Sequence, residues 1–164
     1  MLGTVTSVRV MDQDATAEYL KHAGDLLQFA SAVAGPSAAD DIVAAVVTRV
    51  LVESDGWRSI RNLGGYLMRS VMNEAIDRQR SGNRRRRRER RESIPALAAS
   101  YDDDVRTEVL DAVGKLTPRQ RGVVYLTYWL DRSASEVADE LDVSVRTVER
   151  ELTHARRELE VLLR

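Results

Sequence analysis

An all-α fold is predicted by three features of the sequence. Helix-forming residues dominate, while Gly and Pro number only 9 and 3. Apolar residues recur at spacings of three and four along most of the chain, with no strand pattern longer than the first ten residues could supply. Several of the boundaries between these stretches carry helix-capping signatures. With 164 residues, 43% of them hydrophobic and 31% charged, the chain can form one medium domain or two small ones around a buried core.

The first helix is expected from Ala15 to Val33, with Tyr19, Leu20, Ala23, Leu26, Leu27, Ala30 and Val33 on one stripe. "AGP" at 34–36 stops it. Ser37 is the expected N-cap of the second helix, with Asp40 and Asp41 in its first turn, where the helix dipole favours them. Ile42, Val43, Val46, Val47, Val50 and Leu51 give that helix a broad buried face. "ESDGWRSIRN" reads as a loop, and a third helix follows from about Leu63 to about Arg80. "SIPALAAS" reads as a linker.

Punctuation in the second half is sharper. Val105, Val109, Leu110, Val113 and Leu116 are helically spaced behind the acidic Asp102–Asp104. "TPRQ" supplies Thr117 as N-cap, Pro118 at the first helical position and Gln120 to close a capping box. "SASE" repeats the box from Ser133 to Glu136 and opens a short helix ending near Leu141. "DVS" makes a turn, and Ser144 caps the last helix.

That last helix has two faces. Val145, Val148, Leu152, Ala155 and Leu159 form the packing side. The other side carries Arg146, Thr147, Glu149, Arg150, Thr153, His154 and Arg157. A short helix, a tight turn and a longer helix make a helix-turn-helix, which offers the first turns of its second helix to base edges in the major groove. Arg146 and Arg150 suit guanine, Glu149 suits cytosine, and Thr147 suits a base or a phosphate. The small Ala138 sits where the packing helix needs it. A charged helix face is more often merely solvated, so the caps and Ala138 carry the DNA reading.

Net charge is only −1, but it is unevenly spread. Residues 1–56 carry −5, residues 57–92 carry +8, residues 93–116 carry −3 and residues 117–164 carry −1. A basic block between acidic flanks points to an anionic partner at that block.

"LTPRQRGVVYLTYWLDRSASEVADELDVSVRTVERELTHARREL" resembles region 4 of the sigma-70 family of bacterial transcription initiation factors. "SIRNLGGYLMRSVMNEAIDRQRSGNRRRRR" resembles the promoter-melting helix of region 2 in the extracytoplasmic-function group, at Asn62, Tyr66, Leu67, Arg69, Asn73, Asp77 and Arg80. Arg69, Asn73, Asp77 and Arg80 follow one another at helical spacing, opposite Leu67, Met68, Val71, Met72 and Ala75. A face mixing Asn, Asp and Arg can bond bases as well as neutralise phosphates.

The resemblance implies two helical domains, a region 2-like domain at 1–92 and a region 4-like domain at 102–164, joined by a linker at 93–101. It implies core RNA polymerase (β′ clamp helices and β flap) and promoter DNA as partners, often with an anti-sigma factor. A −35 element would meet Ser144 and the polar face already described. A −10 element would meet Trp57, Ser59, Asn62, Arg69, Asn73, Asp77 and Arg80, with Trp57, Ser59, Asn62, Arg69 and Asn73 near a flipped single-stranded base. "RRRRRERR" at 84–91 reads as a solvated, mobile run that adds salt-dependent, sequence-independent affinity.

Two places depart from the family pattern. The polymerase-docking helix usually reads close to Asp-Leu-Val-Gln-Glu-Val-Phe. Here it is "DIVAAVV": Asp41 is kept, Ala44 and Ala45 replace Gln and Glu, and Val47 replaces Phe. In the helix-turn-helix, Asp142 holds a turn position usually given to Gly, and Arg132 stands where Leu is common. Asp tolerates the left-handed conformation better than most residues, so the turn should survive.

Other functions weigh less. A stand-alone dimeric helix-turn-helix regulator would use the first half for dimerisation or sensing, and a protein-binding adaptor would leave the basic block without a role. Zero cysteines exclude thiol chemistry and zinc fingers. His22 and His154 are far apart in sequence, and no Gly-rich phosphate loop or metal-ligand spacing occurs. No enzyme activity, cofactor, metal, small-molecule substrate or membrane span is expected, and the start lacks an export signal, so a cytoplasmic location is expected.

Overall fold

The computed structural model describes residues 13–53, 60–89 and 105–163. The elements are α1 (Gln13–Ala34), α2 (Pro36–Glu53), α3 (Leu63–Glu89), α4 (Val105–Lys115) and α5 (Pro118–Val124). A π turn (Tyr125–Trp129) extends α5, and α6 (Ala134–Leu141) and α7 (Val145–Leu162) complete the chain. No strand occurs among the described residues, as the all-α reading requires. The "SIPALAAS" linker and the tip of the "ESDGWRSIRN" loop, with Trp57 and Ser59, lie outside the described residues.

One residue joins α1 to α2. Gly35 adopts φ +90°, a left-handed conformation that a side chain would strain. Its N–H donates to the Ser31 carbonyl at 2.9 Å, satisfying one of the orphan acceptors at the end of α1. Pro36 then starts α2 directly, where its fixed φ suits a helix and its missing N–H costs nothing. Ser37 is therefore inside the helix rather than its N-cap, and no acidic residue falls in the first turn of α2. Asp40 and Asp41 stand beyond it.

The buried side of α1 is Leu26, Phe29, Ala30 and Val33. The sequence stripe had included Leu20 and Leu27 and omitted Phe29. Leu20 and Leu27 are 63% and 39% exposed, because they lie about 100–120° around the helix from Leu26. On α2 the expected Ile42, Val43, Val46 and Val50 are buried.

α3 continues well past Arg80, through the "SGN" that was expected to end it and into the arginine run as far as Glu89. Arginine is a strong helix former, and a single interior Gly82 costs only about 1 kcal/mol relative to Ala. Arg84 donates to Ser81 Oγ at 3.2 Å, a contact one helical turn long. The mobile stretch expected at 84–91 is thus helical through 89, and 90–91 lie outside the described residues.

In the second half, Ala112 and Leu116 anchor α4 while Val109 is largely exposed. Both capping boxes form. Thr117 Oγ1 accepts from the Gln120 N–H while Gln120 Oε1 accepts from the Thr117 N–H at 2.7 Å. Ser133 and Glu136 make the same reciprocal pair at 3.3 and 2.8 Å. Gln120 is itself buried, and its amide reaches Glu158 on α7 at 3.4 Å.

The buried apolar side chains of the two halves form one contiguous cluster. Phe29, Val33 and Met72 from the first half meet Gly122 on α5, and Phe29 packs against Tyr125 with ring centroids 5.9 Å apart.

Candidate nucleic-acid interface

The helix-turn-helix is assembled by local bonds. The N–H groups of Asp142 and Val143 return to the Ala138 carbonyl, and Ala138 is buried. Asp142 occupies the left-handed conformation at φ 54°, ψ 50°, so the Asp at this turn does adopt the geometry that Gly would favour. Ser144 caps α7, accepting from the Thr147 N–H at 3.1 Å and sharing a hydroxyl contact with Thr147 Oγ1 at 2.9 Å. Val148, Leu152 and Ala155 are buried beneath α7. Val145, expected on that packing side, is 41% exposed, since it leads the helix before α6 covers it.

Arg146, Glu149, Arg150, Thr153, His154 and Arg157 are all exposed on α7, and Thr147 is half-buried. Arg150 leans on Glu151 at 3.3 Å, a contact that an exposed guanidinium gives up at small cost. Thr153 is different: its hydroxyl donates to the Glu149 carbonyl at 2.8 Å, so its donor is committed to its own helix.

Arg132, the second departure in this motif, lies 3.7 Å from Glu136 and 3.8 Å from Glu140. Burial pushes the Glu140 carboxyl up, and Arg132 offsets part of that rise. The Leu-to-Arg change thus places a cation beside a carboxylate that has lost much of its water.

On α3 the candidate residues divide. Asn62 is the cap: its Oδ1 accepts from the Gly65 N–H at 3.0 Å, which gives it a structural role beside any base contact. Asn73, Asp77 and Arg80 are exposed, with Arg80 and Asp77 3.9 Å apart. Arg69 is only one-third exposed and reaches across the molecule to Asp142 at 3.0 Å. Arg69, Asn73 and Thr147 line a single crevice between α3 and the helix-turn-helix. The structure therefore brings one residue of the expected −35 set to the edge of the expected −10 face.

On α2, Asp41 and Ala44 are exposed, whereas Ala45 and Val47 are half-buried and Val47 packs on the core. Beside this stretch Glu74 bridges Arg49 at 2.7 Å and Arg78 at 3.0 Å. Those two guanidinium groups hold the Glu74 carboxyl below its usual range. Arg78 also donates to the Asp41 carbonyl at 3.4 Å, tying α3 to α2.

Sequence reasoning missed the Arg69–Asp142 pair, the Gly122 contact and the exposed aromatics Tyr128 and Trp129 at the π turn. Asp142 did carry a signal, since it departs from the usual Gly. The Gly122 contact depends on segments far apart in sequence, which no local pattern shows.

A capped reading helix seated on a short packing helix defines a helix-turn-helix protein, a class of fold used to read DNA. A family model described as Sigma-70, region 4 matches residues 106–159. The chain is 31% identical over 137 residues to the RNA polymerase sigma-E factor of Streptomyces avermitilis, covering 78% of this chain and 74% of the relative. Its fold matches that of the sigma factor RpoE from Bartonella quintana, solved in complex with the anti-sigma factor NepR. That match has a TM-score of 0.66 at 21% identity and covers 93% of this chain and 98% of the other. The chain belongs to the RNA polymerase sigma factors, with a sigma-70 region 4 in its second half. Its partners are accordingly RNA polymerase and DNA, and sigma factors regulate transcription rather than act as enzymes. No described helix is long and apolar enough to cross a membrane.

Proposed function

We propose that residues 102–164 read a −35 element and residues 1–92 dock on polymerase and open a −10 element. The observation that carries this is the exposed face of α7, where Arg146, Glu149 and Arg150 follow the Ser144 cap. Base-edge donors and acceptors in the first turns of a rigidly seated helix are what major-groove reading needs. On α3, Asn73, Asp77 and Arg80 offer the mixed donors and acceptors suited to an unpaired strand. Asp41 and Ala44 on α2 would meet the β′ clamp helices, and the region 4-like half would meet the β flap. The RpoE relative was solved with an anti-sigma factor, which supports such a partner for this chain.

The test is reconstitution with bacterial core RNA polymerase. The reconstituted enzyme should retain the chain at moderate salt and select from a promoter library paired boxes with a fixed spacer. A single palindromic site, or failure to bind core, would sink the reading and favour a stand-alone dimeric regulator.

A further inference from the structure

The π turn at the end of α5 holds a pair of side chains that the polar face of α7 does not include. A π turn is wider than an α turn and rare in folded chains. Here the Leu130 N–H donates to the Tyr125 carbonyl, five residues back, at 3.2 Å. Two further local penalties accompany it. Thr127 Oγ1 is buried with no hydrogen-bond partner among the described residues, and Asp131 takes a left-handed φ of 52°. From this turn Tyr128, 58% exposed, extends to α7. The Arg156 guanidinium lies over its ring, 5.8 Å from the centroid. Arg156 Nε donates to the Tyr128 hydroxyl at 2.9 Å, and Arg156 Nη2 donates to the same oxygen.

Counting donors gives the pair its chemistry. A tyrosine hydroxyl has two lone pairs and one proton. Arg156 occupies both lone pairs, so the proton is left to donate. Arginine carries five N–H donors, and these bonds use two of them. No carboxylate pairs with Arg156 among the described residues, whereas Arg132 and Arg150 each lean on a glutamate. Two neighbouring groups thus lack only an acceptor, and one of them is fully charged. A phosphodiester, with two unesterified oxygens on one phosphorus, satisfies both. Placement points the same way. Arg156 follows Glu149 and Thr153 at spacings of seven and three, so it borders the polar face of α7. It stands twelve residues past Ser144, about 18 Å along the axis, while the major groove is about 12 Å wide. With the first turns of α7 in the groove, Arg156 meets the backbone at its border.

We infer that Tyr128 and Arg156 form a clamp for one backbone phosphate of the duplex, beside the sequence that α7 reads. Arg156 supplies the charge, and Tyr128 fixes its plane while donating a second hydrogen bond. This rests on the −35 reading of α7, and it adds a contact that sets register without choosing bases. The π turn is then the device that holds the clamp. Trp129 stacks on Tyr125 with ring centroids 6.4 Å apart, and the Tyr125 hydroxyl donates to Gln28 Oε1 on α1 at 3.3 Å.

The test titrates holoenzyme, reconstituted with core RNA polymerase, against two fluorescent duplexes. One carries the boxes recovered from the promoter library and the other has random sequence. Arg156→Gln should lower affinity for both by about fivefold and flatten the slope of log affinity against log salt by about one. Tyr128→Phe keeps the ring and the charge, so affinity should fall about threefold with the slope unchanged. Melting midpoints of both variants should match wild type, since both side chains are exposed. A neutral methylphosphonate placed at each backbone position of the first duplex in turn locates the phosphate. Wild type should lose affinity at one flanking position, and Arg156→Gln should be indifferent there.

Wild-type affinity and slope in Arg156→Gln would overturn the inference. So would a changed base preference, which would make Arg156 a reader of bases. Wild-type affinity in Tyr128→Phe would remove the clamp and leave a lone arginine. Should a variant melt early, the methylphosphonate scan of the unaltered chain decides, and no sensitive phosphate beside the box would sink the clamp. Failure of the −35 reading looks different. Arg150→Ala should weaken the first duplex alone; if it leaves that duplex unaffected while Arg156→Gln weakens both, the reading face falls and the phosphate contact stands.

Discussion

The two faces proposed to meet DNA stand in opposite conditions. On α7 the polar side is open to solvent from Arg146 to Arg157, with only Thr147 half-buried. On α3 Arg69 is engaged by Asp142, and Asn62 is spent as a helix cap. The second half is fixed by local side-chain bonds, whereas the first is fixed by packing, including packing against the second. A face supported from beneath by its own caps can stay exposed and ready. On α3 the exposed Asn73, Asp77 and Arg80 stand beside an Arg69 that leans on a residue of the other half.

The largest expected effect probes whether the halves share one core. Phe29 is fully buried and touches Tyr125 across the boundary. Phe29→Ala should cost about 3–5 kcal/mol, and denaturant unfolding of wild type should show a single transition by probes in either half. Two separate transitions, with Phe29→Ala moving only the first, would break the comparison. Next in size, Arg150→Ala should weaken specific promoter binding by about 1–3 kcal/mol with an unchanged fold. An unchanged promoter affinity would remove Arg150 from the reading face.

Caps sharpen the contrast at a smaller scale. Ser133→Ala loses the reciprocal bonds that start α6 and should cost about 1 kcal/mol in a thermal or chemical melt. Ser37→Ala should stay within about 0.5 kcal/mol, since Pro36 already starts α2. Equal losses at both positions would contradict the view that the halves are specified differently.

The smallest effect is a pH dependence. Glu74 has its carboxyl lowered from 4.5 by hydrogen bonds from Arg49 and then Arg78. A carboxylate with a folded pKa below its unfolded value contributes stability above the unfolded value, and loses it as pH falls through the folded one. The melting midpoint of wild type should therefore drop below about pH 4.5 more steeply than that of Glu74→Gln. Parallel curves would show that the Arg49–Glu74–Arg78 bridge contributes nothing to the α2–α3 contact.

What could be read in advance follows the same division. Thr117, Gln120, Ser133, Glu136 and Ser144 announced the second half because a cap and its target lie three residues apart, and all their bonds form. The α7 face was legible because Val148, Leu152 and Ala155 leave only one side free. Phe29 was overlooked in favour of Leu20 and Leu27 because neighbouring apolar residues admit more than one stripe, and only the packing partner decides between them. The end of α3 was set too early because Gly82 was weighed above the arginines that follow it. The ion pair joining Arg69 to Asp142 spans more than seventy positions, beyond the reach of any local pattern.

The single-residue connection at Gly35 has a bearing on synthesis. It makes α1 and α2 a hairpin whose contacts are close in sequence, so that pair can form early. The bond from Tyr125 to Gln28 spans 97 positions and must wait for the second half to leave the ribosome. Elongation at about 5–20 residues per second puts that wait on the order of seconds. During this interval Phe29, Val33 and Met72 lack their Gly122 counterpart, so the growing chain passes through a stage in which a chaperone, or an early-bound partner, has access that the finished protein denies.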